Sequence, residues 1–174
     1  LSSRGNLNMC GICGTFNLTK QHFIDTDLLK KMVLLMKHRG PDEFGIYKDA
    51  KIGMGHARLS IIDLSGGRQP IHNEDKTVWI VFNGEIFNYI ELREELIAKE
   101  HSFKTHTDVE VLLHLYEEST NGTEFLNRLN GQFSFAICDL KKQQLFCARD
   151  HFGVLPFFYT IADEAEQEGW DFPS

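Results

Sequence analysis

The chain has 174 residues, 42% of them hydrophobic and 25% charged, which is the size and composition of one globular domain with a buried core. Its 18 basic and 25 acidic residues give a net charge of −7 without a basic block, which argues against a nucleic-acid or anionic-membrane partner. The sequence has no apolar run of about 18 residues and no secretory signal near its start, so we expect a cytoplasmic protein.

The first elements predicted along the chain are a strand and a helix. Small and apolar residues predict a buried strand over residues 10–17. Asp25 or Thr26 is expected to cap the following helix, and Gly40-Pro41 stops it. The apolar side chains of this helix recur on one face and are Leu28, Leu29, Met32, Val33 and Met36.

The middle of the chain predicts two strands and another helix. β-Branched and aromatic side chains indicate strands near residues 52–62 and 78–82. A helix is expected to begin within residues 88–91 and to turn three apolar side chains inward, namely Leu92, Leu96 and Ile97.

The last predicted elements are a helix and a hairpin. Residues 107–110 have the spacing of a capping box, which places Asp108 in the first turn of a helix that runs to about Glu118. Residues 133–139 and 144–149 have the pattern of two hairpin strands. Because short strands come in neighbouring pairs with helices between the groups, we predict an α+β fold with mainly antiparallel sheets.

Two of the four cysteines form a C-x-x-C motif, Cys10-Gly-Ile-Cys13. This spacing suits zinc or a redox disulfide, but a structural zinc site needs a second ligand pair, and the chain offers none at a suitable spacing. A thioredoxin-like motif would open a helix, and no helix signal follows Cys13. We therefore expect reduced thiols, no metal site, and Cys13 as a small buried core residue.

Two basic segments have alternative interpretations. His38-Arg39-Gly40-Pro41-Asp42 is expected to end the first helix, with its basic side chains favourably placed against the helix dipole. Arg58 lies in an otherwise apolar strand, so burial is expected. A buried guanidinium needs a carboxylate, which a ligand can supply through two parallel hydrogen bonds.

The Asn83-Gly84 pair and Asp108 are ambiguous when taken one at a time. Asn-Gly is a strong hairpin signal, so the pair alone predicts a turn. The Asn amide beside the Gly backbone N–H is also a plausible pair of oxyanion donors. Asp108 has an adequate structural role as an acidic residue at a helix N-terminus, worth a few tenths of a kcal/mol.

Eight motifs nevertheless occur in one order along the chain: CGICG, HRGPD, HARLSIIDL, GRQP, FNGEIFNY, THTDVEVLLHLYEE, LNGQFSFAICD and ARDHFGV. Together they resemble the glutaminase domain of glutamine-hydrolysing asparagine synthetases over roughly residues 10–159. The resemblance implies a class II glutamine amidotransferase with the N-terminal-nucleophile hydrolase fold, a four-layer αββα sandwich of antiparallel sheets.

The resemblance also implies the chemistry of each site residue. Glutamine would be hydrolysed to glutamate and ammonia through a thioester on Cys10, whose free α-amine, with an ordinary pKa of about 8, would relay the proton. The Asn83 amide and the Gly84 N–H would form the oxyanion hole. Arg58 would clamp the α-carboxylate of glutamine and Asp108 its α-ammonium. The remaining pocket residues would be Leu59, Ser60, Ile61, Ile62 and Glu85.

The resemblance sets the expected domain limits. Residues 10–160 would form the glutamine amidotransferase domain. Residues 1–9 precede the cysteine as an extension, which we interpret as a mis-assigned upstream start, a propeptide or a cloning remnant. Residues 161–174 are expected to be an acidic tail, disordered or truncated.

The family continues into an ATP-dependent synthetase domain, and that domain would need ATP and Mg²⁺. No SGGLDS-like loop occurs in this chain, so no cofactor is expected for it. The expected partners are glutamine, a synthetase domain in cis or in trans, and a second copy in a homodimer. The family usually has GVKP where this chain has Leu155 in place of the lysine.

Two other functions are compatible with parts of the sequence. A catalytically silent glutamine-binding module would also use Arg58 and Asp108 but would not need a free Cys10 amine. The glutaminase domain of an aminosugar or purine-pathway amidotransferase is disfavoured, because HRGPD and RLSIID resemble the asparagine family.

Overall fold

The computed structural model describes residues 9–18, 23–59, 68–119 and 122–161. Short 3₁₀ turns lie at Met36–His38 and Glu124–Arg128. The helices and strands of the described ranges are, in chain order, β1 (Gly11–Phe16), α1 (Thr26–Leu35), β2 (Glu43–Lys48), β3 (Ile52–Arg58), β4 (Ile71–His72), β5 (Val78–Ile86), α2 (Tyr89–Ala98), α3 (Asp108–Glu118), β6 (Gly131–Asp139) and β7 (Gln144–Arg149).

The strands form two antiparallel sheets. The first has the order β1-β3-β2 and the second has the order β4-β5-β6-β7. In the first sheet, Gly11 lies opposite Ala57, and Glu43 lies opposite Arg58. This register places Cys10, which immediately precedes β1, and the first residue of β2 on either side of the end of β3.

Helices cover the outer faces of the two sheets. On β3, Gly53 and Gly55 allow α1 to pack closely, since a Cβ at Gly55 would lie 2.3 Å from a methyl group of Val33. Between the sheets lies a buried cluster of Ile52, Met54, Val81 and Cys138. The opposite face of the second sheet joins α2 and α3 in a larger cluster. The layers are therefore α1, sheet, sheet, and α2 with α3, which confirms the predicted αββα sandwich.

The alternation of side chains along β5 decides which residues face the other sheet. Ile80 and Phe82 belong to the cluster under α2 and α3, whereas Val81 belongs to the cluster between the sheets. Successive strand residues point to opposite faces. Asn83 therefore follows Val81 on the face between the sheets. By the same rule, Arg58 follows Met54 on the facing side of β3.

The structure confirms most of the predicted elements. Helix α1 begins as expected, with the Asp25 carboxylate accepting hydrogen bonds from the backbone N–H groups of Asp27 and Leu28 at 2.8 and 3.2 Å. The predicted hairpin is formed by β6 and β7. None of the helices in the described ranges is long and apolar enough to cross a membrane.

Several expectations were wrong in detail. Asn83-Gly84 is not a turn, because β5 continues through both residues to Ile86. The strand predicted near residues 52–62 is formed over Ile52–Arg58, while residues 60–62 lie outside the described residues, and neither β2 nor β4 was predicted. Ile97 and Leu28, expected on buried helix faces, are 52% and 38% exposed.

The predicted capping box at the start of α3 is also wrong. Thr107 is the N-cap residue, but its side chain makes no capping hydrogen bond. Instead, the Glu110 carboxylate accepts hydrogen bonds from the backbone N–H groups of Lys104 and Thr105 at 2.7 and 2.6 Å. Glu110 therefore accepts hydrogen bonds from the backbone N–H groups of the loop before the helix. These contacts span more residues than those of a capping box.

Candidate active site

Cys10 lies at the edge of the first sheet, between two arginines. Its thiol Sγ is 4.0 Å from the carbonyl oxygen of Leu59, and its own carbonyl accepts a hydrogen bond from Arg39 Nε at 3.4 Å. Burial raises the pKa of the Cys10 thiol above its ordinary value of 9.0, although the positive charges of Arg58 and Arg39 oppose this shift. The thiol is therefore not a spontaneous thiolate at neutral pH, and a nucleophilic role requires a base.

The other three cysteines lack such cationic neighbours. Burial raises the pKa of Cys13 and of Cys138 to about 12, and that of Cys147 to about 11. All four are free thiols. Cys13 is half-buried rather than fully buried, and it faces α1 instead of the space between the sheets, because a Cβ at Gly55 would lie 2.8 Å from its Sγ. Position and charge thus single out Cys10.

Arg58 is buried, as its apolar surroundings predicted, with 9% of its surface exposed. Its Nη1 lies 3.3 Å from Glu43 Oε2, so the protein itself supplies one of the carboxylates that a buried guanidinium needs. Its backbone carbonyl accepts a hydrogen bond from the N–H of Asp42 at 3.0 Å. The end of β3 is therefore held by the residues that open β2.

Asn83 and Gly84 lie near the C-terminal end of β5, where Asn83 is buried and Gly84 is exposed. Asn83 is 5% exposed and pairs with Ser134 across the β5–β6 ladder, while Gly84 pairs with Phe133. Gly84 has a φ of +137°, and a Cβ at this position would lie 2.1 Å from the carbonyl oxygen of Gln132. The position thus requires glycine both for its backbone conformation and for the close approach of β6.

Asp108 ties the beginning of α3 to the end of β5. Its Oδ2 accepts a hydrogen bond from the backbone N–H of Ile86 at 3.0 Å. Burial raises the pKa of this carboxyl, and the charge of Glu85 adds to the shift. Glu85 is exposed and Leu59 is half-buried. Three further residues predicted to line the pocket lie outside the described residues, namely Ser60, Ile61 and Ile62.

The packing of the two sheets places these groups at one end of the sandwich. Met54 and Val81 share the cluster between the sheets, and the ring of His56 lies next to the backbone of Phe82, which affects its pKa. Arg58 follows His56 along β3, and Asn83-Gly84 follows Phe82 along β5. We infer that Arg58, with its neighbour Cys10, and Asn83-Gly84 lie at the same end, where Asp108 is attached.

Sequence reasoning missed the contacts of three polar residues around this end, namely Arg39, Glu43 and His56. His38 acts as the predicted helix cap, with Nδ1 2.9 Å from the carbonyl oxygen of Leu35, but Arg39 turns to Cys10. Glu43 follows directly in the HRGPDE segment and contacts Arg58. His56 is 1% exposed, burial lowers its pKa to about 4, and its Nε2 has no hydrogen-bond partner. The order of motifs was the available signal, because Arg39 and His56 belong to two of them.

A second polar cluster lies on the helix side of the second sheet. One ligand-type atom from each of Glu74, His114 and Glu117 lies within 4.8 Å of the others. His114 Nδ1 is 3.1 Å from Glu117 Oε2, and Asn73 Nδ2 donates to Glu117 Oε1 at 2.7 Å. These contacts describe an ion pair that holds the end of α3 against the β4–β5 turn.

The sequence of this chain is similar to those of known glutamine amidotransferases. Residues 9–173 match the family described as the glutamine amidotransferase domain. Asparagine synthetase [glutamine-hydrolyzing] 1 of Bacillus subtilis (strain 168) is 46% identical over 158 residues, which are 90% of this chain and 25% of that protein. Asparagine synthetase B of Escherichia coli (strain K12) is 42% identical over 154 residues, 86% of this chain and 26% of that protein.

The chain thus spans about a quarter of the length of these curated relatives. The solved structure of glutamine phosphoribosylpyrophosphate amidotransferase from B. subtilis has a TM-score of 0.57 with 20% identity, over 76% of this chain and 35% of that one. At this identity the likeness concerns the fold alone, an α+β sandwich of two antiparallel sheets. Since the family match extends over nearly the whole chain and begins one residue before Cys10, the chain belongs to the glutamine amidotransferase family.

Proposed function

We propose that this chain hydrolyses the side-chain amide of glutamine to glutamate and ammonia. The observation that carries the proposal is the placement of Cys10 beside Arg58 and Leu59, at the end of the sandwich that also presents Asn83-Gly84. A thiol with a carboxylate-binding arginine and a pair of oxyanion donors is the set of groups that amide hydrolysis through a thioester needs.

The reaction begins with a proton transfer on Cys10. Its α-amine, with an ordinary pKa of about 8, takes the thiol proton, and the thiolate attacks the amide carbon of glutamine. The Asn83 amide and the Gly84 N–H stabilise the oxyanion of the tetrahedral intermediate. The amine returns the proton to the departing ammonia, which leaves a glutamyl thioester. Water then attacks the thioester, glutamate is released, and the thiol is restored.

This mechanism requires a free amine on Cys10. With Met9 attached, the nitrogen of Cys10 is an amide and has no useful basicity. We therefore propose that residues 1–9 are an extension whose removal activates the enzyme, that residues 10–160 are the catalytic domain, and that residues 161–174 are an acidic tail. The active form begins at Cys10.

Charge complementarity supports the assigned binding roles. The buried guanidinium of Arg58 is a strong partner for the α-carboxylate of glutamine. The half-buried carboxylate of Asp108 is a suitable partner for its α-ammonium, and substrate binding would offset the burial that raises its pKa. Glu85, Leu59 and residues 60–62 complete the proposed pocket.

The ammonia would serve an ATP-dependent synthetase domain that forms asparagine. Support comes from the two relatives named above, whose printed names describe glutamine-hydrolysing asparagine synthetases of about four times the length matched here. ATP and Mg²⁺ would belong to that domain. A cytoplasmic location and a homodimer are part of the same proposal.

The decisive experiment compares two forms of the chain for ammonia release from glutamine. The form that begins at Cys10 should be active, whereas the full chain, with its extension confirmed by intact mass, should be much slower. A glutamine-like electrophile should label Cys10 and spare Cys13. Equal activity of both forms would refute the role of the amine, and labelling of Cys13 would refute the nucleophile.

A silent glutamine-binding module is the second candidate, and the acylated nitrogen of Cys10 in the full chain favours it. Such a module would bind glutamine through Arg58 and Asp108 without releasing ammonia, whether or not residues 1–9 are present. Calorimetric glutamine binding by a form that begins at Cys10 and yet releases no ammonia would establish this alternative.

A further inference from the structure

The carboxylate of Glu43 contacts two arginines at once. Its Oε2 lies 3.3 Å from Arg58 Nη1, and its Oε1 lies 3.3 Å from Arg68 Nε. Exposure rises along the three side chains, since that of Arg58 is 11% exposed when the side chain is taken alone, that of Glu43 34% and that of Arg68 72%. Glu43 therefore links the buried guanidinium at the candidate site to a cation at the surface.

The two arginines stand on either side of one stretch of sequence. Arg58 ends β3, Arg68 begins the next described part of the chain, and residues 60–67 lie between them in sequence. Glu43, directly opposite Arg58 in the β2–β3 ladder, thus contacts the chain both where it leaves the sheet and where it returns.

The return point is fixed independently of Glu43. Gln69, next to Arg68, accepts a hydrogen bond from the backbone N–H of Phe82 at 2.6 Å through its Oε1. Its carbonyl oxygen lies so close to β2 that a Cβ at Gly45 would come within 1.8 Å. Arg68 therefore starts from a well-defined backbone, and its contact with Glu43 joins two fixed elements.

We infer that Glu43 is a positioning residue for glutamine, a role that rests on the proposed function. Glu43 engages Nη1 of Arg58 at 3.3 Å and so helps to hold the guanidinium in the orientation in which it would receive the α-carboxylate of the substrate. The reacting amide is at the other end of glutamine, so Glu43 acts on binding and not on the chemical step.

The expected size of the effect follows from exposure and distance. Both contacts are single and 3.3 Å long, and Glu43 is partly exposed, so each is a modest ion pair. Glu43→Gln should therefore raise KM for glutamine about 3- to 10-fold and leave kcat within about 2-fold, the pattern for the loss of uniform binding. The opposite effect, a lower KM, would follow if Glu43 only competed with the substrate for Arg58.

The test measures KM and kcat for ammonia release in the form beginning at Cys10, and glutamine affinity of the full chain by calorimetry. Glu43→Gln is compared with Glu94→Gln, an exposed glutamate on α2 that should change neither quantity. Arg68→Met should reproduce part of the rise in KM. Adding Arg68→Met to Glu43→Gln should then have no further effect, because both changes break the same link.

The outcomes separate this inference from the proposed function. An active parent enzyme with an unchanged or lowered KM in Glu43→Gln would overturn the positioning role and leave the function standing. A kcat that falls together with the unfolding midpoint would assign Glu43 a structural role instead, and would also overturn the inference. A parent enzyme that neither binds nor hydrolyses glutamine would overturn the proposed function, and this inference with it.

Discussion

Replacing Gly84 with alanine should disrupt both the β5–β6 ladder and the proposed oxyanion hole. Gly84 has a φ of +137°, which L side chains rarely adopt, and its added Cβ would lie 2.1 Å from the carbonyl oxygen of Gln132. Real Cβ atoms essentially never come within 3.0 Å of such an atom. The strands would therefore have to separate by about 1 Å, or the Gly84 backbone would have to rotate away from its present orientation.

The loss of stability can be bounded by comparison with a second glycine. Gly122 also has a positive φ, +77°, but nothing lies within 4 Å of its Cβ position, so Gly122→Ala carries only the conformational cost of about 1–2 kcal/mol. Gly84→Ala adds the clash with β6 beside Phe133, which is 1% exposed. We expect it to lower the free energy of unfolding by at least about 3 kcal/mol, a large part of the 5–15 kcal/mol typical of a domain.

Urea unfolding of the two variants and the parent protein measures this difference directly. Ammonia release, assayed below the unfolding midpoint of each variant, should fall about 10²- to 10³-fold in Gly84→Ala and stay near the parent value in Gly122→Ala. Equal losses of stability in both variants would show that the close approach of Gln132 is not limiting. Full activity in folded Gly84→Ala would exclude the Gly84 N–H as an oxyanion donor.

Four further outcomes follow from the same structure. Cys10→Ala should abolish ammonia release while calorimetry still detects glutamine binding. Asn83→Ala should lower kcat about 10²- to 10³-fold, the usual loss for one oxyanion donor, and an unchanged kcat would leave its amide a structural role only. Arg58→Lys should mainly raise KM, because an ammonium cannot replace a bidentate guanidinium; a fall in kcat alone would contradict substrate binding. Glu117→Gln should lower the unfolding midpoint more at about pH 5.5 than at about pH 8.5, and the reverse order would contradict the ion pair with His114.

The sign of the pH effect follows from the two pKa shifts. Burial alone would lower the pKa of His114, but the hydrogen bond and charge of Glu117 raise it above the ordinary 6.5. Burial alone would raise the pKa of Glu117, but His114 and Asn73 hold it below the ordinary 4.5. The imidazole of His114 contributes its full share to the free energy of unfolding below pH 6.5, and this share is lost as the pH rises through its raised pKa. The carboxylate of Glu117 contributes its full share above pH 4.5, and this share is lost as the pH falls through its lowered pKa. The pair therefore stabilises the fold most between these two values.

Local patterns predicted the elements whose contacts are local. The hairpin of β6 and β7 and the start of α1 follow from turn and cap residues within a few positions. The turn predicted at Asn83-Gly84 was wrong for the opposite reason, since the contacts that decide its structure are not local. Its partners, Ser134 and Phe133, lie about 50 residues away, and pairing with β6 keeps the pair in a strand despite a strong turn signal.

The resemblance named candidate members of the site, whereas local sequence rules did not find the residues that contact them. The resemblance named Cys10 and Arg58, which the structure places at the same edge. Helical spacing and capping rules assigned the HRGPD segment to the end of a helix, and this interpretation is correct for His38. The contacts of Arg39 with Cys10 and of Glu43 with Arg58 join residues 29 and 15 positions apart, so no local rule could have found them.

The pKa shifts of the described residues favour a base on Cys10 itself, the proposed nucleophile. Burial lowers the pKa of His56, the imidazole between the sheets, to about 4, while the thiol of Cys10 lies above 9.0. Proton transfer from this thiol to this imidazole would be unfavourable by at least about 7 kcal/mol, at 1.36 kcal/mol per pKa unit. An α-amine with a pKa of about 8 makes the same transfer easier by about 5 kcal/mol, because its pKa lies about 4 units above that of the imidazole. Because the amine and the thiol share one residue, no second side chain has to be desolvated to bring the base within reach. The burial that makes Cys10 a poor thiolate is thus the reason why the proposed mechanism needs a free amine at that position, and an extension that acylates this amine should abolish the proposed activity without changing the geometry of the site.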